Sequence, residues 1–188
     1  MNVNEPNAAA AGATAITRPS VLLVMGVSGS GKTTIATLLS ELLQWELADA
    51  DAFHSAENVR KMASGIALTD EDRWPWLRAI AAWIDTVRGA RGHGVVGCSA
   101  LKRSYRDILI GEREDVRLVY LKGDIDLIAH RMKLRHGHFM PLALLRSQFD
   151  TLEEPTPDEH PIIVSIDADP PAIAAEVMAQ LRMQAPAP

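Results

Sequence analysis

Val21-Leu-Leu-Val-Met-Gly-Val-Ser-Gly-Ser-Gly-Lys-Thr33 passes from an apolar run, through a glycine-rich turn, into a helix. Val21–Met25 has no charged or hydroxyl side chain, the pattern of a strand buried on both faces. From Lys32 to Leu43 the spacing of Ile35, Leu38, Leu39 and Leu42 predicts a helix with these residues on its buried face. Between the two, Gly26, Val27, Ser28, Gly29, Ser30, Gly31, Lys32 and Thr33 match G-x-x-x-x-G-K-[ST] at every fixed position. The glycines let the backbone wrap closely enough to aim successive N–H groups at phosphate oxygens, and the helix start adds the positive end of its dipole. Lys32 is then placed to bridge β- and γ-phosphates, and the Thr33 hydroxyl to ligate Mg²⁺.

Outward from this motif, short β-rich runs alternate with longer segments of helical period, which predicts a parallel sheet covered by helices. Trp45–Ala48, Gly94–Cys98, Val116–Leu121 and Ile162–Ile166 read as the further strands. Thr69-x-x-Asp72 reads as a capping box, followed by Leu77, Ile80, Ile84 and Val87 at helical spacing and a stop near Gly89. Asp124 and Asp169-Pro170 read as helix starts, the latter followed by a stripe of Ile173, Val177 and Leu181. The expected architecture is a three-layer α/β/α sandwich around about five parallel strands. Residues 1–19 are expected to form a disordered extension, 20–184 a single domain, and 185–188 a disordered tail.

Composition narrows the functional classes. Lys plus Arg number 19 against 24 Asp plus Glu, a net charge of −5, so no broad electropositive surface is available to nucleic acid or anionic lipid. No apolar run approaches the ~20 residues that span a bilayer. The single cysteine, Cys98, cannot form an internal disulfide, and a reducing, cytoplasmic location is expected. Neither nucleic acid nor membrane is an expected partner, and a homodimer is left open.

Asp49-Ala50-Asp51 follows a predicted strand, so its carboxylates stand at the carboxyl edge of the sheet, where parallel α/β folds place ligands. Residues i and i+2 of an extended chain share a face, so both can converge on one point. One carboxylate can then serve Mg²⁺ and the other accept a proton from a hydroxyl nucleophile. Asp51 is taken as the base and Asp49 as the metal-associated partner, an assignment that could equally run in reverse. Arg131 and Arg135 lie one helical turn apart ahead of Gly137, His138 and Pro141, the composition of a mobile lid at about 131–141 that brings guanidinium groups over phosphate. His54, Arg73, Lys102 and Arg106 are ambiguous one by one.

Taken together, these segments resemble the gluconate kinase (gluconokinase) family of P-loop small-molecule kinases, similar in fold to shikimate and nucleoside-monophosphate kinases. The resemblance spans about Val21–Ile166. It rests on MGVSGSGKT, DADAFH, Lys61–Gly65, Asp72-Arg73 with Pro75–Leu77, Cys98–Lys102, the His138-Phe139 region and Gln148-Phe149. Ala50, Ser55, Ala67 and His136 depart from the family pattern without removing a phosphate ligand or candidate base. The resemblance implies a kinase moving the γ-phosphate of ATP to the terminal hydroxyl of D-gluconate. Lys32, Asp51 and Arg135 would be catalytic, and the loop from Gly26 to Thr33 with Arg131 would hold the nucleotide. Thr33 and Asp49 would serve Mg²⁺, and Asp51, His54, Arg73, Lys102, Arg106 and His138 would meet the substrate, Arg73 leading as the carboxylate anchor. The alternatives are a kinase for another small hydroxy acid and a non-catalytic nucleotide switch. The Walker-B-like Ile162–Asp167 favours the switch, whereas the absence of an N-K-x-D motif, the acid pair and the arginine-rich segment oppose it.

Overall fold

The computed structural model describes residues 19–134 and 142–183. Strands β1 (Val21–Met25), β2 (Glu46–Asp49), β3 (Gly94–Gly97), β4 (Val116–Lys122) and β5 (Ile162–Ser165) form one parallel sheet in the order β2-β3-β1-β4-β5. Seven helices accompany it among the described residues: α1 (Lys32–Leu43), α2 (Ala56–Ala63), α3 (Asp70–Gly89), α4 (Arg103–Leu109), α5 (Ile125–Leu134), α6 (Leu142–Thr151) and α7 (Pro170–Met183). Alternate residues of the central strands enter two separate cores. Leu22, Val24, Val95, Val119 and Leu121 pack with α1, α5, α6 and α7 on one face. Val21, Leu23, Met25, Val96, Leu118 and Tyr120 pack with α3 and α4 on the other. Burial on both faces explains why β1 carries no solvent-facing side chain.

The sequence signals that start helices are realised in detail. Thr69 Oγ1 accepts from the Asp72 N–H while Asp72 Oδ2 accepts from the Thr69 N–H, closing the capping box. Asp124 Oδ1 accepts from the Leu127 N–H at 2.7 Å, and Asp169 Oδ1 from the Ala172 N–H at 2.8 Å. The buried stripe of α1 differs from expectation. Ile35, Ala36 and Leu39 are buried with Leu43 packed beside them, whereas Leu42 is 61% exposed. At about 100° per residue, a stripe centred between Leu39 and Leu43 turns Leu42 away from the sheet. Helix α2, whose Ser55 cap accepts from the Asn58 N–H, and the single helical turns Ala50–Phe53 and Pro157–Glu159 were not anticipated.

One charged side chain is sunk into the fold. Arg106, on α4, is 2% exposed, and its Nε and Nη2 donate to the two carboxylate oxygens of Glu159. Its Nη1 donates to the carbonyls of Ala100, Leu101 and Glu153. The expectation that Arg106 helps anchor a substrate carboxylate is therefore corrected, because its donors are spent tying α4 to the 157–159 turn and to the chain after α6. Burial pushes the Glu159 carboxyl up, but the Arg106 hydrogen bonds and charge outweigh it and hold the group below the usual range. Arg106→Ala should lower the free energy of unfolding by about 3 kcal/mol, because the buried Glu159 loses its bidentate partner and keeps only Arg103 at 3.5 Å and the Thr156 hydrogen bonds. The double variant Arg106→Met/Glu159→Leu should recover much of the loss, and equilibrium urea unfolding measures both.

Candidate active site

The phosphate loop joins β1 to α1 at the carboxyl edge of the sheet. Gly31 caps α1 at φ +97° without a side-chain hydrogen bond, and the first turn holds no acidic residue. The helix thus begins with uncapped N–H groups and no carboxylate of its own first turn to compete for its positive end. Gly29, at φ +82°, lies so close under α5 that a Cβ would come within 2.8 Å of the Met132 side chain. Ser28, Gly29, Gly31, Lys32 and Thr33 line a cavity of about 300 Å³, while Gly26, Val27 and Ser30 are buried behind it. Lys32 Nζ donates to the Val27 carbonyl at 3.1 Å. Burial holds this ammonium below the ordinary lysine range, against the pull of Asp51 and Asp49.

Asp49 and Asp51 line the same cavity. Their convergence is as expected but its geometry is not, because the extended chain ends at Asp49 and Asp51 sits in the turn Ala50–Phe53. Asp49 Oδ1 caps that turn by accepting from the Asp51 N–H at 3.0 Å. Trp76 of α3 fixes the turn from behind, its Nε1 donating to the Ala50 carbonyl at 2.6 Å. The same indole stacks on His54 with ring centroids 4.4 Å apart. Burial pushes the His54 imidazole below its ordinary value, opposed by Asp51 and reinforced by Arg73, so the ring is neutral at pH 7 and near enough to both charges to feel them.

Beyond His54, Arg73 of α3 and Lys102, the cap residue of α4, meet at Asp70. Lys102 Nζ donates to Asp70 Oδ2 at 2.6 Å, and the Tyr105 hydroxyl donates to Asp70 Oδ1. Arg73 Nη1 lies 3.4 Å from both Asp70 Oδ1 and the Tyr105 oxygen. The Lys102 and Tyr105 hydrogen bonds hold the Asp70 carboxyl below the usual range, and the Asp70 bond raises Lys102. Burial and the same carboxylate raise Tyr105. At neutral pH the cluster therefore holds one carboxylate, two cations and a protonated phenol.

The structure differs from the sequence reading at Arg131, whose Nη2 donates to the Ile166 and Ala168 carbonyls in the β5–α7 loop and does not line the phosphate cavity. Arg135, His138 and most of the expected 131–141 lid lie outside the described residues. Four residues at the site carry no assignment from the sequence: Asp70, Trp76, Tyr105 and Gln148. Gln148 of α6 accepts from the Ser28 N–H at 2.7 Å and donates to Ser28 Oγ at 3.2 Å. Their segments carried the family resemblance, but only the fold brings Gln148 to a loop 120 positions away.

The arrangement suits a nucleotide with a hard cation. Thr33 and the two carboxylates offer oxygen donors beside the loop N–H groups. Among the described residues no group of three or more His, Cys, Asp or Glu forms a metal cluster, in keeping with Mg²⁺ held by one or two side chains and by phosphate.

A parallel sheet that delivers a phosphate loop and a carboxylate to one cavity is the arrangement of P-loop small-molecule kinases, and the shikimate kinase family model matches residues 28–182. Gluconokinase of Gluconobacter oxydans (strain 621H) is 46% identical over 86% of this chain and 90% of its own length. The thermosensitive gluconokinase of Escherichia coli (strain K12) is 45% identical over 75% of each. The crystal structure of a gluconokinase from Sinorhizobium meliloti 1021 superposes with a TM-score of 0.81 at 42% identity, covering 89% of this chain and 94% of that one. The chain belongs to the gluconokinase family and is a phosphotransferase. Among the described residues no helix is long and apolar enough to cross a membrane.

Cys98 also lines the phosphate cavity, yet it is 1% exposed and burial pushes its thiol up to about 12. It has the environment of a packed, unreactive thiol. Ellman's reagent at pH 8 should label the native protein slowly and release one equivalent of thiol once urea unfolds it. Rapid labelling of the native protein would contradict this placement.

Proposed function

We propose that the protein transfers the γ-phosphate of ATP to the terminal hydroxyl of D-gluconate, giving 6-phospho-D-gluconate and ADP. The observation that carries this reading is the placement of Asp51 in the phosphate cavity with the Arg73–Lys102 cluster beyond His54. Gluconate has a primary alcohol at one end and a carboxylate at the other, so it needs a base at the phosphate and cations at a distance. In this reading the uncapped N–H groups of the loop and α1 cradle the nucleotide phosphates. Lys32 follows the charge that develops on the transferred group. Asp51 accepts the proton of the attacking hydroxyl. Mg²⁺ between Thr33, Asp49 and the phosphates would supply neutralisation of the β- and γ-oxygens. Among the described residues Arg73 keeps most of its five donors free, enough to receive a carboxylate bidentately, and the neutral His54 ring offers the chain of the sugar acid a flat wall against Trp76.

Coupled ADP release from the purified protein, with and without D-gluconate and against a panel including shikimate, tests the assignment. Release that depends on gluconate supports it, and release independent of every acid would sink it in favour of a nucleotide switch. Lys32→Ala should abolish transfer with the fold intact. Asp51→Asn should lower kcat by at least ~10²-fold while keeping ATP binding, the lower end of general-base contributions. If Asp49→Asn shows that profile instead, the roles of the two carboxylates are exchanged.

A further inference from the structure

The Asp70 carboxylate stands where a site for an acid would be expected to hold only cations. Its side chain is about one-third exposed, as are those of Arg73 and Lys102, so all three can be reached from solvent. A carboxylate has about four acceptor positions, and here Oδ1 serves the Tyr105 hydroxyl and Arg73 Nη1 while Oδ2 serves only Lys102. Among the described residues one acceptor position therefore remains on Oδ2. Arg73 offers its remaining N–H groups beside it, since among the described residues only Nη1 has partners.

We propose that Asp70 is a specificity-determining residue that accepts a hydrogen bond from the substrate hydroxyl next to the carboxylate bound by Arg73. The inference rests on the substrate reading above and adds to it the class of acid accepted, a 2-hydroxy acid. Arg73 Nη1 and Asp70 Oδ1 are 3.4 Å apart, so the two groups are in contact, and the proposal assigns the donors left on Arg73 and the acceptor left on Oδ2 to ligand groups on neighbouring carbons. Arg73 can only donate and the ionised Asp70 can only accept. The pair thus reads an acceptor followed by a donor, which a carboxylate and its α-hydroxyl present. A 2-keto acid places a second acceptor against Asp70, and a 2-deoxy acid places nothing there. The Lys102 and Tyr105 bonds hold Asp70 ionised and fixed in direction, so the rejection is built in before the ligand arrives.

The test compares kcat/KM for D-gluconate, 2-deoxy-D-gluconate and 2-keto-D-gluconate in the wild type, Asp70→Asn and Arg73→Met. In the wild type the 2-keto acid should fall about 10²-fold below D-gluconate, the scale of a lost bond to a charged group plus acceptor repulsion, with the 2-deoxy acid between them. In Asp70→Asn, whose amide can donate to a carbonyl, the gap between the 2-keto acid and D-gluconate should close to within ~10-fold, with the KM for ATP unchanged. Equal kcat/KM for the three acids in the wild type overturns the proposal without any variant, as does an unchanged ratio in a folded Asp70→Asn. Failure of the underlying reading has a separate signature. If Arg73→Met leaves the KM for D-gluconate unchanged, the carboxylate does not bind at Arg73 and the proposal falls while the substrate reading stands; absence of D-gluconate turnover in the wild type sinks that reading itself.

Discussion

Every other part of the site depends on an unfinished hydrogen-bond ladder. The first turn of α1 leaves its N–H groups without acceptors, and this helix starts at a glycine with no capping side chain and no acidic residue in its first turn. In most helices that deficit is repaired locally by a serine, threonine or aspartate at the cap. Here it is left open at the carboxyl edge of β1, in the middle of a sheet buried on both faces. The scaffold supplies the rigidity that a loop of small residues lacks.

The second constraint is electrostatic. Lys32 is held below its ordinary pKa by burial, and the carboxylates of Asp49 and Asp51 oppose that shift. An additional anion in the cavity strengthens the case for the charged form, so phosphate binding and the ammonium state of Lys32 favour one another. Across His54 the balance is different. A lone carboxylate there organises two cations and a phenol, while the imidazole between the two regions stays neutral.

Much of this was legible in the sequence, because local chemistry wrote it there. The phosphate loop, the capping box at Thr69, the caps at Asp124 and Asp169 and the strand spans each rest on a few neighbouring residues. What the sequence obscured depends on distant partners or on local geometry that periodicity does not encode. Asp49 and Asp51 do share a cavity, but through a helical turn pinned by Trp76 and not through an extended strand. Arg106 has the same one-letter signature as a ligand-binding arginine, and only the approach of Glu159, 53 positions away, shows that it is structural. Leu42 follows the helical period of Ile35 and is still exposed, because the period gives the spacing of a stripe but not where the sheet meets it.

Tyr105 and Arg106 are neighbours on α4, yet they face different tasks. The first leans on Asp70 in the cleft, and the second is locked to Glu159 behind the helix. The helix is thus riveted from its rear, and Lys102 at its cap, whose carbonyl starts the helix, keeps its ammonium for Asp70. Recognition and cohesion are carried by separate side chains within a single turn. An engineer seeking a new acid specificity can vary the half-buried positions 73 and 102 while the rivet keeps α4 in place, whereas the same ambition applied to Arg106 would dismantle the wall on which the site is mounted.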